Sequence, residues 1–350
     1  PEFMPEIQFD FFQRKYLRPY TEFAEESWGK SCYQSSEKYL NWLYKENPCG
    51  NSSEEDFILG LAEGKVVGCI HKMRWVWKNK DQIEFIPNIH NLMVSEKYRK
   101  GWFGIKLLKQ SLLGENHALI PGVPKNQGSL YRFLKCQQVT SCWYRKILTP
   151  VKGALCLSLK KLFNYDAPNS FFTLPQFQNK KFQDDPVQVT LEPDELVIQK
   201  IISQLNKKPS ETLSAYWTLE QFKWRFFHPL GPKHLLIYKD SEHTLEDFLI
   251  LSLGPRRGLN VARVVEFEVS SSQVLKHLMQ VAERIVKMFG GHVLLIFCAS
   301  QRLNEKLQEL NLKLIKNSPN TYFAHKNSDA LFHSVAFTGS AGDFGFEAIP

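Results

Sequence analysis

The chain has 350 residues, 43% of them hydrophobic and 23% charged, the balance of an ordinary globular protein with length for about two domains. No apolar run reaches the roughly 18 residues of a membrane-spanning helix, which sets that class aside. The net charge of +8 favours an anionic partner, whether nucleic acid, a phosphate-bearing cofactor or an acidic membrane surface.

Pro1 to Phe3, ahead of Met4, read as a cloning scar, and no apolar signal segment follows. Residues 8 to 50 read as helical. Within "YLNWLYKENPCGN", Tyr39, Trp42 and Leu43 share a face, and Asn47-Pro48 with Gly50 ends the segment. "DFILGLAEGKVVGCIHKMRWVW" alternates around Glu63-Gly64 and predicts a two-stranded hairpin. "IEFIPNIHNLMV" predicts another strand, bent or bulged at Pro87. A helix from Gly104 to Leu113 would bury Ile105, Leu108 and Leu112. "HALIPGVP" then predicts a short strand, and "NQGSLYRFLKC" a short helix from near Asn126.

Residues 147 to 190 are less regular and read as the connection between halves. Leu155, Leu159 and Leu162 fall on one helical face, with Lys152, Lys160 and Lys161 nearby. Two readings stand: a short helix packed on a domain, or an interfacial helix making peripheral membrane contact. The second half repeats the first. "HLLIYKD", "DFLILSLG" and "VARVVEFEV" are strands, and Ser270-Ser271-Ser272 leads into a helix from Gln273 to Phe289, closed by Gly290-Gly291. "HVLLIF" and a helix through "QRLNEKLQEL" complete the repeat, which predicts a duplicated α/β unit. Seven cysteines, with no C-x-x-C pair, fit a reduced, cytoplasmic setting.

The stretch "VSEKYRKGWFGIKLL", Val94 to Leu108, joins an apolar strand to an apolar helix through a basic turn with two glycines. A helix N-terminus presents unpaired N–H groups and the positive end of the helix dipole. Glycine permits close approach, and Lys97, Arg99 and Lys100 add charge, so the turn reads either as a phosphate cradle or as a plain solvated turn. Neither a P-loop nor a dinucleotide fingerprint is present.

A strand ending in Val followed by "YRKGWFG" resembles the acyl-CoA site of the GNAT acetyltransferase superfamily. The resemblance implies that Arg99, Lys100, Gly101, Trp102, Phe103 and Gly104 hold the pyrophosphate of coenzyme A, and that Leu92, Met93 and Val94 line its pantetheine arm. Trp102 stands where the family has its first glycine, and Gly101 lies one place early. "PGVPKNQGSLYRFLKC" resembles the segment after the family's splayed strand, which implies a cofactor contact at Asn126 and a thiol-protonating role for Tyr131. Lys135-Cys136 replaces the usual Gly-Phe there. "YLNWLYKENPCG" and "FKWRFFHP" resemble stretches of bacterial proteins with two GNAT units, several of which acylate amino groups on nucleotide-linked sugars.

Tyr131 also admits a plain core-aromatic reading. Glu84 and His90 are candidate bases, six apart and so on one strand face unless Pro87 breaks the parity. Trp224, Arg225 and His228 of "FKWRFFHP" offer an acceptor-facing wall, and Asp343 a further contact or a turn residue. Cys136 and Cys142 read as structural. No metal site is expected, and no stripe of interleaved aromatic and basic residues suggests nucleic acid.

The resulting expectation is an α/β protein of two tandem GNAT-like units, with mixed, mostly antiparallel sheets flanked by helices. A catalytic unit would span 4–150, a connection 151–190, and a non-catalytic, acceptor-shaping unit 191–350. Donor and acceptor would be an acyl-CoA, acetyl-CoA included, or an acyl carrier protein, and an amine. The amine would be a small molecule such as a nucleotide-linked amino sugar, or else a protein or peptide; a non-catalytic module binding coenzyme A or lipid is the remaining alternative. In the second repeat Ser270 to Gln273 stand in place of Arg99 to Gly104, and Leu307 in place of Tyr131.

Overall fold

Glu63 and Gly64 both take positive φ, 51° and 75°, which closes the tight hairpin marked in the sequence. The computed structural model describes residues 6–30, 32–49, 54–79, 82–99, 102–163, 187–207, 212–239, 245–256, 258–310, 312–325 and 334–341. In chain order the first half runs β1 (Ile7–Phe11), α1 (Leu17–Trp28), α2 (Glu37–Leu40, continued by a π-helical turn Asn41–Lys45), β2 (Phe57–Ala62), β3 (Lys65–Asn79), β4 (Gln82–Val94), α3 (Phe103–Leu112), β5 (His117–Val123), α4 (Gly128–Phe133) and β6 (Gln137–Val139). It continues with β7 (Cys142–Ile147), α5 (Pro150–Phe163), β8 (Val187–Thr190), α6 (Glu195–Leu205), β9 (Thr212–Ala215), α7 (Leu219–Phe227), β10 (His234–Lys239), β11 (Asp247–Arg256), β12 (Leu259–Glu268), α8 (Ser272–Met288), β13 (Val293–Cys298), α9 (Gln301–Gln308), β14 (Lys313–Leu314), β15 (Asn320–His325) and β16 (Ser334–Ala336). Among the described residues no helix is long and apolar enough to cross a membrane.

Two compact units result. The first comprises Pro1–Trp77, Ile83–Val139 and Pro319–Phe332; the second comprises Lys78–Gln82, Thr140–Ser318 and His333–Pro350. The first unit's strands run in the order β1-β2-β3-β4-β5-β15-β6, and the second unit's sheet β8-β10-β11-β12-β13-β7-β14. The two orders match strand for strand. In each, the fourth and fifth strands are the parallel pair, β4 with β5 and β12 with β13. In each, the next strand comes from the other half of the chain: β15 pairs antiparallel with β5 and β6, and β7 with β13 and β14. The sequence boundary at 150 therefore differs from the structure, because β7 and β15 are exchanged. An alternating segment announces a strand but not its partner.

The first core gathers Ile58, Ile70, Ile89, Val94, Phe103, Leu107, Tyr131 and Tyr322; the second is built on Leu249, Val264, Leu278, Val281, Ile285 and Leu294. Three local expectations change. Ile7–Phe11 is a strand paired with β2, not helix. Pro87 lies inside an unbroken β4, and the irregular residue is Asn91, at φ 51°. α3 buries Phe103, Leu107, Leu108 and Ser111, while Ile105 and Leu112 are half-buried. The stripe shifts because Phe103 docks on glycines. Gly60 and Gly68 face each other across β2 and β3, and a Cβ on either would lie 2.1 or 2.6 Å from the Phe103 ring.

Candidate active site

That docking fixes the first turn of α3 against the sheet. Phe9 stacks on Phe103 at 5.9 Å between ring centroids, and Tyr98 meets it edge-on at 6.3 Å. Trp102 occupies the N-cap position and is exposed, and no side chain caps the helix there. A Cβ built on Gly104 would meet only Val94 Cγ2, at 3.7 Å, so the space beside the first-turn amides is open. Arg99 is exposed, yet its Nε donates to the Val94 carbonyl at 2.8 Å and its guanidinium reaches Met93 Sδ at 3.8 Å. Its positive charge is thereby held at the end of β4, beside the helix N-terminus. Lys100 and Gly101 lie outside the described residues.

β4 and β5 pair in parallel at Asn88–Leu119, and the register ends there. Beyond that point β4 carries a directed hydrogen-bond chain. Tyr33 donates to Asn91 Oδ1 at 3.5 Å, and Asn91 Nδ2 donates to the Tyr39 hydroxyl at 3.3 Å. His90 Nδ1 lies 3.2 Å from the Asn88 carbonyl, which can only accept, so Nδ1 carries the proton. In the neutral ring, Nε2 is then the acceptor for the Tyr39 hydroxyl at 3.1 Å. Glu84 sits elsewhere: its carboxylate contacts His117 Nδ1 at 3.0 Å. The structure thus separates the two candidate bases and puts His90, not Glu84, on the stretch of β4 past the pairing point.

Sequence reasoning missed His71. It is fully buried on β3, with Nε2 3.0 Å from the Tyr20 hydroxyl and Nδ1 2.7 Å from that of Tyr44. Its ring stacks on Phe57 at 4.0 Å and lies 5.6 Å from His90. Burial, with a smaller contribution from His90, lowers its pKa well below the usual value, so it is neutral. Tyr44 and Phe57 also line a cavity of about 350 Å³, together with Arg14, Glu37, Asn41 and Lys45. The visible signal was the density of aromatics in residues 39 to 44 facing a histidine on a strand, but spacing alone does not pair them.

Tyr131 is buried and stacks on Tyr322 of β15, with ring centroids 5.1 Å apart and planes 16° from parallel. Burial first, then Cys136 and Tyr322, pushes its pKa up to about 12. It is therefore protonated at neutral pH and able to donate. It shares one apolar cluster with Val94 and Phe103. Tyr322 could not be anticipated from the local sequence, since it arrives on the exchanged strand. Its hydroxyl explains Gly128, where a Cβ would stand 2.6 Å away. Asn126 is exposed in the turn before α4.

The second unit's corresponding turn is filled by the chain itself. Ser271 caps α8 by accepting from the Val274 amide at 3.3 Å. The Asp247 carboxylate accepts from the Ser270 amide at 2.7 Å and its hydroxyl at 2.8 Å, and Lys306 donates to the Val269 and Ser270 carbonyls. Leu307 is fully buried. Trp224 and Arg225 are core residues rather than an open wall: Arg225 Nε donates to the Ser340 carbonyl at 2.9 Å. His228 is half-buried, and its Nδ1 accepts from the Leu230 amide. Asp343 lies outside the described residues. No cluster of metal-ligating side chains occurs among the described residues.

No protein-family profile matches the chain, and no curated protein matches it in sequence. Solved structures do. Saccharomyces cerevisiae N-myristoyltransferase with bound myristoyl-CoA superimposes with a TM-score of 0.63 at 14% identity, covering 91% of this chain and 79% of that one. A GCN5-related N-acetyltransferase from Anabaena variabilis gives 0.53 at 11%, covering 92% and 73%. Another from Kribbella flavida gives 0.55 at 11%, covering 92% and 71%. The fold is therefore the GNAT fold, present twice in one chain.

Proposed function

We propose that the protein is an N-acyltransferase that takes its acyl group from an acyl-CoA. The observation that carries this reading is the first turn of α3: basic, without a side-chain cap, and open at Gly104, at the end of a strand that has left its parallel neighbour. Coenzyme A supplies the activated acyl carbon as a thioester. The residues present fit it: the α3 amides and Arg99 would hold the pyrophosphate, with Leu92 to Val94 along the pantetheine. His90 takes the proton of the attacking amine, directly or through water, with Tyr39 holding its ring. Tyr131 donates towards the departing sulfur.

The amine enters from the cavity at Tyr44 and Phe57. Its volume suits a small molecule, and its mix of Arg14, Lys45 and Glu37 suits one that carries both an amine and anionic groups, such as a nucleotide-linked amino sugar. A peptide amine is the second reading, favoured by the higher TM-score to the N-myristoyltransferase. Incubation with acyl-CoAs of graded chain length and a panel of amino sugars and peptides, read as free thiol release, tests the proposal. Thiol release with neither acceptor class, from protein that binds coenzyme A, would reduce it to a binding module.

A further inference from the structure

α5 is mounted inside out. At about 100° per residue, Gly153, Cys156 and Lys160 share one face, and Val151, Leu155 and Leu162 the opposite one. A surface helix ordinarily buries its leucines. This one packs by its small and polar face. A Cβ on Gly153 would lie 3.7 Å from His292 Cβ, and Cys156 Sγ lies 3.6 Å from His292 Nε2. The Lys160 stem lies across Gly258, where a Cβ would come within 2.9 Å of it. The attachment is built: the Leu148 amide donates to the His292 carbonyl at 2.8 Å, and the Thr149 hydroxyl to that of Gly291 at 3.2 Å.

The leucine face is left to solvent. Val151 is 82% exposed, Leu155 59% and Leu162 71%, and Leu159 at the edge of the stripe is half-buried. Lys152 and Lys161 stand on the two margins of this stripe, and the helix contains no acidic residue. That arrangement is the one a helix needs to lie in a headgroup layer, apolar side down and ammonium groups reaching lipid phosphates. A second copy of the chain fits worse, because an isologous contact over this stripe would bring lysine margins together without a counter-charge.

We propose that α5 seats the protein on an anionic bilayer surface, with Val151, Leu155 and Leu162 entering the headgroup boundary. This does not depend on the catalytic reading. The test is co-sedimentation of the full chain with phosphatidylcholine vesicles, with and without phosphatidylserine. Binding is expected only with the anionic lipid, weakening as salt rises. Lys152→Ala and Lys161→Ala should each weaken it about fivefold. Leu155→Ser combined with Leu162→Ser should weaken it tenfold or more, at an order-of-magnitude level, with an unchanged melting temperature in the absence of lipid. The proposal is overturned if the full chain ignores anionic vesicles, or if the double leucine variant binds as well as the parent. It is equally overturned if that variant melts lower without lipid, since the leucines are then covered by the chain itself. A leucine-dependent dimer in sedimentation that persists on vesicles would also overturn it.

Discussion

Gly104 separates a packing role from a ligand role. The Cβ of an alanine there meets Val94 Cγ2 at 3.7 Å, an ordinary contact, and the position is helical. Gly104→Ala should therefore fold at least as well as the parent, gaining up to about 1 kcal/mol of helix propensity. Helical Cβ atoms tilt towards the N-terminus, so the new methyl leans into the space beside the first-turn amides. Loss of one charge-assisted amide–phosphate hydrogen bond costs about 1.5–3 kcal/mol, or roughly 10- to 150-fold in the Kd for coenzyme A. Gly60→Ala is the contrasting perturbation. Its Cβ would stand 2.1 Å from Phe103 Cζ, so the ring must move, at an overpacking cost of about 1–3 kcal/mol. Calorimetric titration with coenzyme A and thermal melts of both variants separate the two effects. Gly104→Ala with the parent's affinity and an intact fold would refute the placement of the cofactor at α3.

Tyr131→Phe should lower kcat while leaving coenzyme A affinity nearly unchanged, the mark of an interaction made in the transition state; a full-speed variant with a poor thiol leaving group would remove Tyr131 from the mechanism. Tyr39→Phe removes the hydroxyl 3.1 Å from His90 Nε2 that positions the ring, so kcat should fall while coenzyme A affinity is unchanged, and a full-speed variant would remove Tyr39 from the positioning of His90. His71 is neutral when buried and returns to its usual value of 6.5 on unfolding, so the unfolded chain binds the extra proton. Stability is then complete above pH 6.5 and falls as pH drops below it, by at most about 1.4 kcal/mol per pH unit. His71→Gln should flatten that slope in denaturant titrations, and an unaltered slope would contradict the assignment. Calorimetry should find one coenzyme A per chain, and a second molecule on the turn after Val269 would contradict the asymmetry between units.

Much of the fold was legible because it is written locally. Glu63-Gly64, the serines before α8 and Gly290 each dictate a backbone conformation within a few residues, and the strands and helices between them fell close to their expected bounds. What failed depends on contacts far along the chain. β7 and β15 have ordinary strand patterns, and nothing in either says which sheet receives it. The leucines of α5 follow a pattern that normally faces a core, but the helix is attached through His292, whose carbonyl and ring meet Leu148 and Cys156 from far along the chain. In the proposed site, the basic turn and Tyr131 stand out in the sequence by composition and spacing. Tyr322, His71 and the separation of His90 from Glu84 do not, because each is defined by a partner far along the chain.

The two units make a comparison that neither allows alone. Their strand orders are the same, both have a parallel pair followed by an exchanged strand, and both send the fourth strand into a helix through a polar turn. Fold alone therefore cannot decide which unit does chemistry. The turn can. After Val94 the chain supplies positive charge and leaves the first-turn amides of α3 without a side-chain cap. After Val269 it supplies its own cap from Ser271, a carboxylate from Asp247 and an ammonium from Lys306, so the polar groups of that turn are already partnered within the chain. The capped turn is the better one for stability, since a serine cap contributes about 1 kcal/mol. α1, α4 and α6 also lack a side-chain cap, so the cofactor placement proposed above rests on the open space at Gly104 and the charge of Arg99 held beside it, not on the missing cap alone.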